Sequence, residues 1–137
     1  MSKETPLYVV DANVLLRFIT KTPPDQAAKA RDLLKRGQAG EVRLVLEPLT
    51  LADVVYVLKK PYAMSYVDIE SVLLKLFASG AVEVLERERC EIALALVVRH
   101  KVDFEDAYLA GIALELGGGV ASFDRHLKRL GVDWLEP

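Results

Sequence analysis

The chain has 137 residues, 52% apolar and 28% charged, with a net charge of −2 at neutral pH and one cysteine. That length can bury the core of a single domain, 1–137, without covalent staples. The charge balance excludes a basic protein that coats nucleic acid, and the lone Cys90 excludes an intrachain disulfide or a cysteine-based zinc site.

Leu7–Val10 reads as a short buried strand, and Asp11–Thr20 continues as a helix with Val14, Leu15 and Phe18 at helical spacing. Thr22-Pro23-Pro24-Asp25 breaks that helix. A second one starts at about Asp25, turns Ala28, Leu33 and Leu34 inward, and stops at Gly37 after Lys35 and Arg36. Arg43–Leu46 is β-rich. Thr50–Leu58 is expected to be helical despite its valines, because Leu51, Val54, Val55 and Leu58 share one face; Lys60-Pro61 ends it. Ser65 caps a fourth helix that Gly80 closes.

Val82–Leu85 is the third strand. Arg87–His100 is a helix with Ile92, Leu94, Leu96 and Val97 on its apolar face. Asp103–Leu116 is another, ended by Gly117-Gly118-Gly119. Val120–Phe123 is a strand, Asp124 opens a short helix to Leu130, and Val132–Leu135 is a fifth strand. Strands alternating with helices predict an α/β fold, with a parallel β-sheet of four to five strands flanked by helices on both sides. No apolar run reaches the roughly 18 residues of a membrane span, and Met1–Pro6 is polar, unlike a signal peptide. The expected address is therefore the cytoplasm, with no membrane partner.

Acids stand at element ends and first turns. Asp11 ends the first strand, Asp53 and Asp106 lie on first helical turns with Asp103 one turn before Asp106, and Asp124 follows the fourth strand. Clustered carboxylates suit hard divalent cations such as Mg2+ or Mn2+, which activate water and stabilise charge on a phosphodiester. Each acid also has a purely local reading. Thr50-x-x-Asp53 and Asp103-x-x-Asp106 look like capping boxes, and Asp11 and Asp124 suit N-caps. Spacing alone leaves both readings open. His100 and His126 lack motif partners and are expected at the surface, and Cys90 is expected in the core. Arg125, His126, Lys128 and Arg129 form a small basic stretch beside Asp124, which is either a solvated face or a contact for RNA phosphates.

Three blocks together resemble the PIN domain family, in particular the VapC-type ribonuclease toxins of toxin–antitoxin pairs. They are Val9-Val10-Asp11-Ala12-Asn13-Val14-Leu15-Leu16-Arg17-Phe18, Leu49–Leu58 around Asp53, and the stretch from Val102-Asp103-Phe104-Glu105-Asp106-Ala107 to Ala121-Ser122-Phe123-Asp124-Arg125. The resemblance implies that Asp11, Asp53, Asp106 and Asp124 are the metal-binding, catalytic set. Asn13 and Ser122 would support them by hydrogen bonding, with Asp103 a peripheral acid. It implies Mg2+- or Mn2+-dependent hydrolysis of RNA, a protein antitoxin as partner and a homodimer, with Tyr56, Val57, Tyr62 and Tyr66 as candidate contact surface. The family usually carries Glu where this chain has the shorter Asp53. That departure supports the alternative, a non-catalytic PIN-fold protein that binds an antitoxin or RNA. A haloacid dehalogenase-like phosphatase needs a second acid two residues after the first, and Asn13 occupies that place.

Overall fold

β1 (Leu7–Val9), β2 (Arg43–Leu46) and β3 (Glu83–Val84) pair in parallel, in that order, in the computed structural model. It describes residues 4–137, so the start of the polar Met1–Pro6 stretch lies outside the described residues. Val9 sits opposite Val45, and the Val10 N–H continues the ladder to the Val45 carbonyl at 2.9 Å. Four helices belong to this first compact unit, which ends at Glu86: α1 (Ala12–Thr20), α2 (Pro24–Gln38), α3 (Pro48–Lys59) and α4 (Tyr66–Ala78). The second unit begins at Arg87. It holds α5 (Arg87–His100), α6 (Phe104–Leu116), β4 (Gly119–Ala121), a 3-10 helix (Arg125–Leu130) and β5 (Asp133–Leu135), with β4 and β5 also parallel. The α/β class and the parallel pairing are those the sequence predicts. No helix among the described residues is long and apolar enough to cross a membrane.

The apolar periodicity is realised most fully in α3, where Leu51, Val54, Val55 and Leu58 are all buried. Cys90 packs in the core of the second unit with Leu94 and Val97. Several expectations change. β1 is not buried: Leu7, Tyr8 and Val9 are 47%, 58% and 62% exposed, and among the described residues β1 is an edge strand that pairs with β2 alone. Ile92 lies on the exposed side of α5, and Ala93 and Cys90 take the inner positions.

The third change concerns Gly37, which does not stop α2; the helix runs on to Gln38. A Cβ at Gly37 would run into the carbonyl oxygen of Ala81 and lie 3.0 Å from Leu44 Cδ1. The glycine therefore marks close approach of α2 to the chain entering β3, and its chain-ending look was misleading. Gly80 and Gly117 do act as stops, with φ of +77° and +71° after α4 and α6.

The start of α3 also differs from the sequence reading. Its N-cap is Glu47, whose carboxylate accepts from the N–H groups of Leu49 (3.0 Å) and Thr50 (2.7 Å) and from Thr50 Oγ1 (2.8 Å). Burial alone would raise the Glu47 pKa, but these three donors outweigh it and hold the carboxyl below its ordinary range.

Two stability measurements follow from these contacts. Alanine in an open helix position is favoured over glycine by about 1 kcal/mol, so Gly37→Ala would stabilise an unobstructed α2. Here we expect the opposite sign, a loss of about 1–3 kcal/mol seen as a lower Tm, because the Ala81 carbonyl is backbone and cannot swing aside. Glu47→Ala should cost roughly 1 kcal/mol at neutral pH. A depressed folded-state pKa stabilises above the unfolded pKa, so the difference from wild type should shrink as pH falls through the carboxylate range. Denaturant titrations at neutral and acid pH check both.

Candidate active site

In the first unit, Asp11 follows β1 and is the N-cap of α1, its Oδ1 accepting from the Val14 N–H at 3.2 Å. The local reading of Asp11 is therefore correct as far as it goes. It engages Oδ1, and the exposed carboxylate keeps Oδ2 for another partner. Asn13 lies beside it, exposed, and forms no hydrogen bond to the Asp11 carboxylate; both residues line the same cleft.

Asp53 is not on the first turn of its helix. Because α3 begins at Pro48, Asp53 falls on the second turn and is exposed. Thr50 gives its hydroxyl to Glu47, so the apparent Thr50-x-x-Asp53 capping box does not form, and the helix start does not occupy Asp53. Sequence reasoning missed Glu47. The available signal was Glu47-Pro48, an acid directly before a proline at the first helical position.

In the second unit, Asp103 occupies the N-cap position of α6, yet its side chain makes no cap hydrogen bond. Asp106 sits in the first turn, as expected, and is partly buried. Asp124 caps the 3-10 helix, accepting from the His126 N–H at 2.9 Å, while its own N–H donates to Ser122 Oγ at 2.9 Å. The serine thus holds the backbone of Asp124 in place. Burial pushes the Asp106 carboxyl above its ordinary range, and the negative charges of Asp124, Asp103 and Glu105 push it further, against an opposing pull from His126. The charges of Asp124 and Asp103 therefore reach Asp106, and His126 opposes them there.

The chemistry of these donors fits a divalent cation. They are carboxylate oxygens, the ligands that Mg2+ and Mn2+ prefer. Among the described residues no three His, Cys, Asp or Glu side chains are grouped to hold a metal by themselves. Mg2+, however, is commonly held by only about one or two carboxylates, with water completing the shell. Asp106 and Asp124 are two carboxylates of this unit whose charges act on one another. The basic stretch next to Asp124 is exposed, with Arg125 3.7 Å from Glu136 and Lys128 Nζ 4.7 Å from the centre of the Trp134 ring. Of the candidate contact residues, Tyr56 and Tyr62 are exposed, and Tyr66 lies beneath the Lys59 ammonium at 4.4 Å.

The PIN domain family model matches residues 8–133 of this chain. No curated protein matches it.

The crowding at Asp106 predicts a metal response. A raised folded-state pKa means that the acid favours the fold when protonated, and that contribution is lost as pH rises through the folded-state value. Metal-free protein should lose stability above the carboxylate range, and Asp106→Asn should recover it. Mg2+ or Mn2+ should raise the Tm of wild type at neutral pH and leave that of Asp106→Asn nearly unchanged, as read by thermal melts with and without EDTA.

Proposed function

The chain belongs to the PIN domain family, whose members are generally nucleases that use divalent metals, and from that premise we propose that it is an Mg2+- or Mn2+-dependent endoribonuclease. The observation that carries this reading is the family match over residues 8–133, with acids standing at the starts of α1, α6 and the 3-10 helix. Asp106 and Asp124 are each held in place by local structure. Asp106 is fixed in the first turn of α6, and Asp124 is fixed by the Ser122 and His126 hydrogen bonds. Asp106 and Asp124 would hold the cation, which would supply an activated water for in-line attack and stabilisation of charge on the phosphodiester.

The family resemblance assigns Asp11 and Asp53 to the same chemistry. The Val14 N–H fixes the Asp11 rotamer and leaves an oxygen for ligation or for orienting water. Asp53 is free of the helix cap. Being one methylene shorter than the family's usual Glu, it suits a role through water better than direct ligation. Asn13 is assigned to substrate or water positioning, because it lies at the Asp11 cleft without bonding that carboxylate. Asp103 adds negative charge beside the pair.

The same reading makes the chain a single functional domain, 1–137, acting in the cytoplasm as the toxin of a toxin–antitoxin pair. Its partners are then a protein antitoxin and a second copy of itself, with the exposed Tyr56 and Tyr62 as contact surface. The substitution of Asp for Glu at position 53 favours one other reading, a PIN fold that binds an antitoxin or RNA without cutting.

The test is cleavage of a labelled RNA pool by purified protein. We expect cutting with Mn2+ or Mg2+, none in EDTA, and loss to background in Asp11→Asn and Asp106→Asn, both still folded. Asp53→Glu should keep or raise the rate. A folded protein that takes up Mn2+ but cuts no RNA, and stays inactive as Asp53→Glu, would establish the binding role instead.

A further inference from the structure

A cleft of about 260 Å³ opens directly beside Asp11, between α1 and α2. On α1, Asn13 and Arg17 are four residues apart and so share a face; on α2, Gln26 and Lys29 do the same at a spacing of three. The floor is apolar, from Val14, Ala30 and Leu33. Arg17 Nε donates to Gln26 Oε1 at 2.7 Å, and this bond ties the two walls together. It uses the acceptor of Gln26 and one donor of Arg17. The Arg17 guanidinium and the Lys29 ammonium form no ion pair among the described residues, although α2 carries acids at Asp25 and Asp32.

Two cations with spare donors, two side-chain amides and an apolar floor, against the single Asp11 carboxylate at one end, make a surface for an anion that also carries hydrogen-bonding edges. Beyond the Asp11 end, a metal ion is a poor occupant, since Arg17 and Lys29 would repel it. An apolar ligand would leave the cations unused. We propose that this cleft binds one nucleotide of single-stranded RNA next to the bond that is cut, with its phosphate on Lys29 and Arg17 and its base edge against Gln26 and Asn13. The inference rests on the nuclease reading for its place in the reaction, and on charge complementarity for the binding itself. Single-stranded RNA suits the cleft because unstacked bases expose the edges that amides read. Lys29 and Arg17 are then positioning residues, which hold the chain so that its phosphodiester lies at the Asp11 end of the cleft.

The experiment measures binding of a short fluorescent single-stranded RNA to the full chain in EDTA, and in parallel its cleavage with Mn2+. Lys29→Gln should weaken binding by about tenfold at low salt, the scale of one hydrogen bond to a charged group. It should also reduce the slope of log affinity against log salt by about 0.7, the contribution of one phosphate contact on a single strand. Gln26→Glu keeps the wall intact by strengthening the Arg17 contact but places an anion in the cleft, so it should weaken binding at least as much without lowering Tm. Lys75→Gln, on α4, should bind and cut as wild type does. In cleavage, Lys29→Gln should raise KM with kcat unchanged. If wild type cuts RNA and both cleft variants keep its KM, affinity and salt slope, the cleft assignment fails and the nuclease reading stands. If wild type binds RNA and the variants lose affinity but nothing is cut, the cleft stands and the nuclease reading fails. No binding and no cutting by wild type overturns both.

Discussion

Parallel pairing is the constraint on which the first unit depends. When β1, β2 and β3 run the same way, their carboxyl ends emerge on one edge of the sheet, and the helix that follows β1 or β2 must start there with unpaired N–H groups. The chain answers with acids. Asp11 follows β1 and caps α1; Glu47 follows β2 and caps α3. Because Val9 pairs with Val45, these two carboxylates come two residues beyond a shared rung of the ladder. The second unit repeats the device after β4, where Asp124 caps the 3-10 helix.

This explains why capping and catalysis are hard to separate. A capping carboxylate uses one oxygen, or one set of lone pairs, on the helix, and its rotamer is fixed by doing so. Asp11 and Asp124 each engage Oδ1 and are exposed beyond it, so the cap orients the carboxylate and leaves the second oxygen open. Glu47 differs. It gives both oxygens to Leu49 and Thr50, and these donors hold its pKa down, so it is spent on structure. Asp106 is the opposite case, partly buried among like charges with no cap to serve, and its carboxyl is held above its ordinary range. The number of oxygens left over after local hydrogen bonding thus sorts structural acids from candidate ligands.

Much of the fold was legible in the sequence because it rests on local rules. Period-3.6 apolar spacing located α1, α3 and α5, the glycine run from Gly117 marked the end of α6, and Ser65 and Gly80 marked the ends of α4 by their own chemistry. The readings that changed all involve a neighbour distant in sequence or a competing cap. Gly37 resembles a helix stop until Ala81 is placed against it. β1 resembles a buried strand because Leu7, Tyr8 and Val9 are apolar, but its exposure depends on how many strands flank it. Thr50-x-x-Asp53 resembles a capping box because Glu47, one residue before Pro48, is an unusual cap that outcompetes it for Thr50.

By itself, then, the sequence determined the α/β class, the order of strands and helices and the family, since periodicity, turn chemistry and motif blocks are written in residues close together in the chain. It also placed Asp11, Asp106 and Asp124 at element starts, which follows from where strands end and helices begin. Only tertiary structure decided which acids are spent on helix caps and which keep oxygens free. Only packing of α1 on α2 brought Arg17 to Gln26 and opened the cleft beside Asp11. Those outcomes depend on distances between residues far apart in sequence, and hydrogen-bond competition and like-charge repulsion are decided by distance.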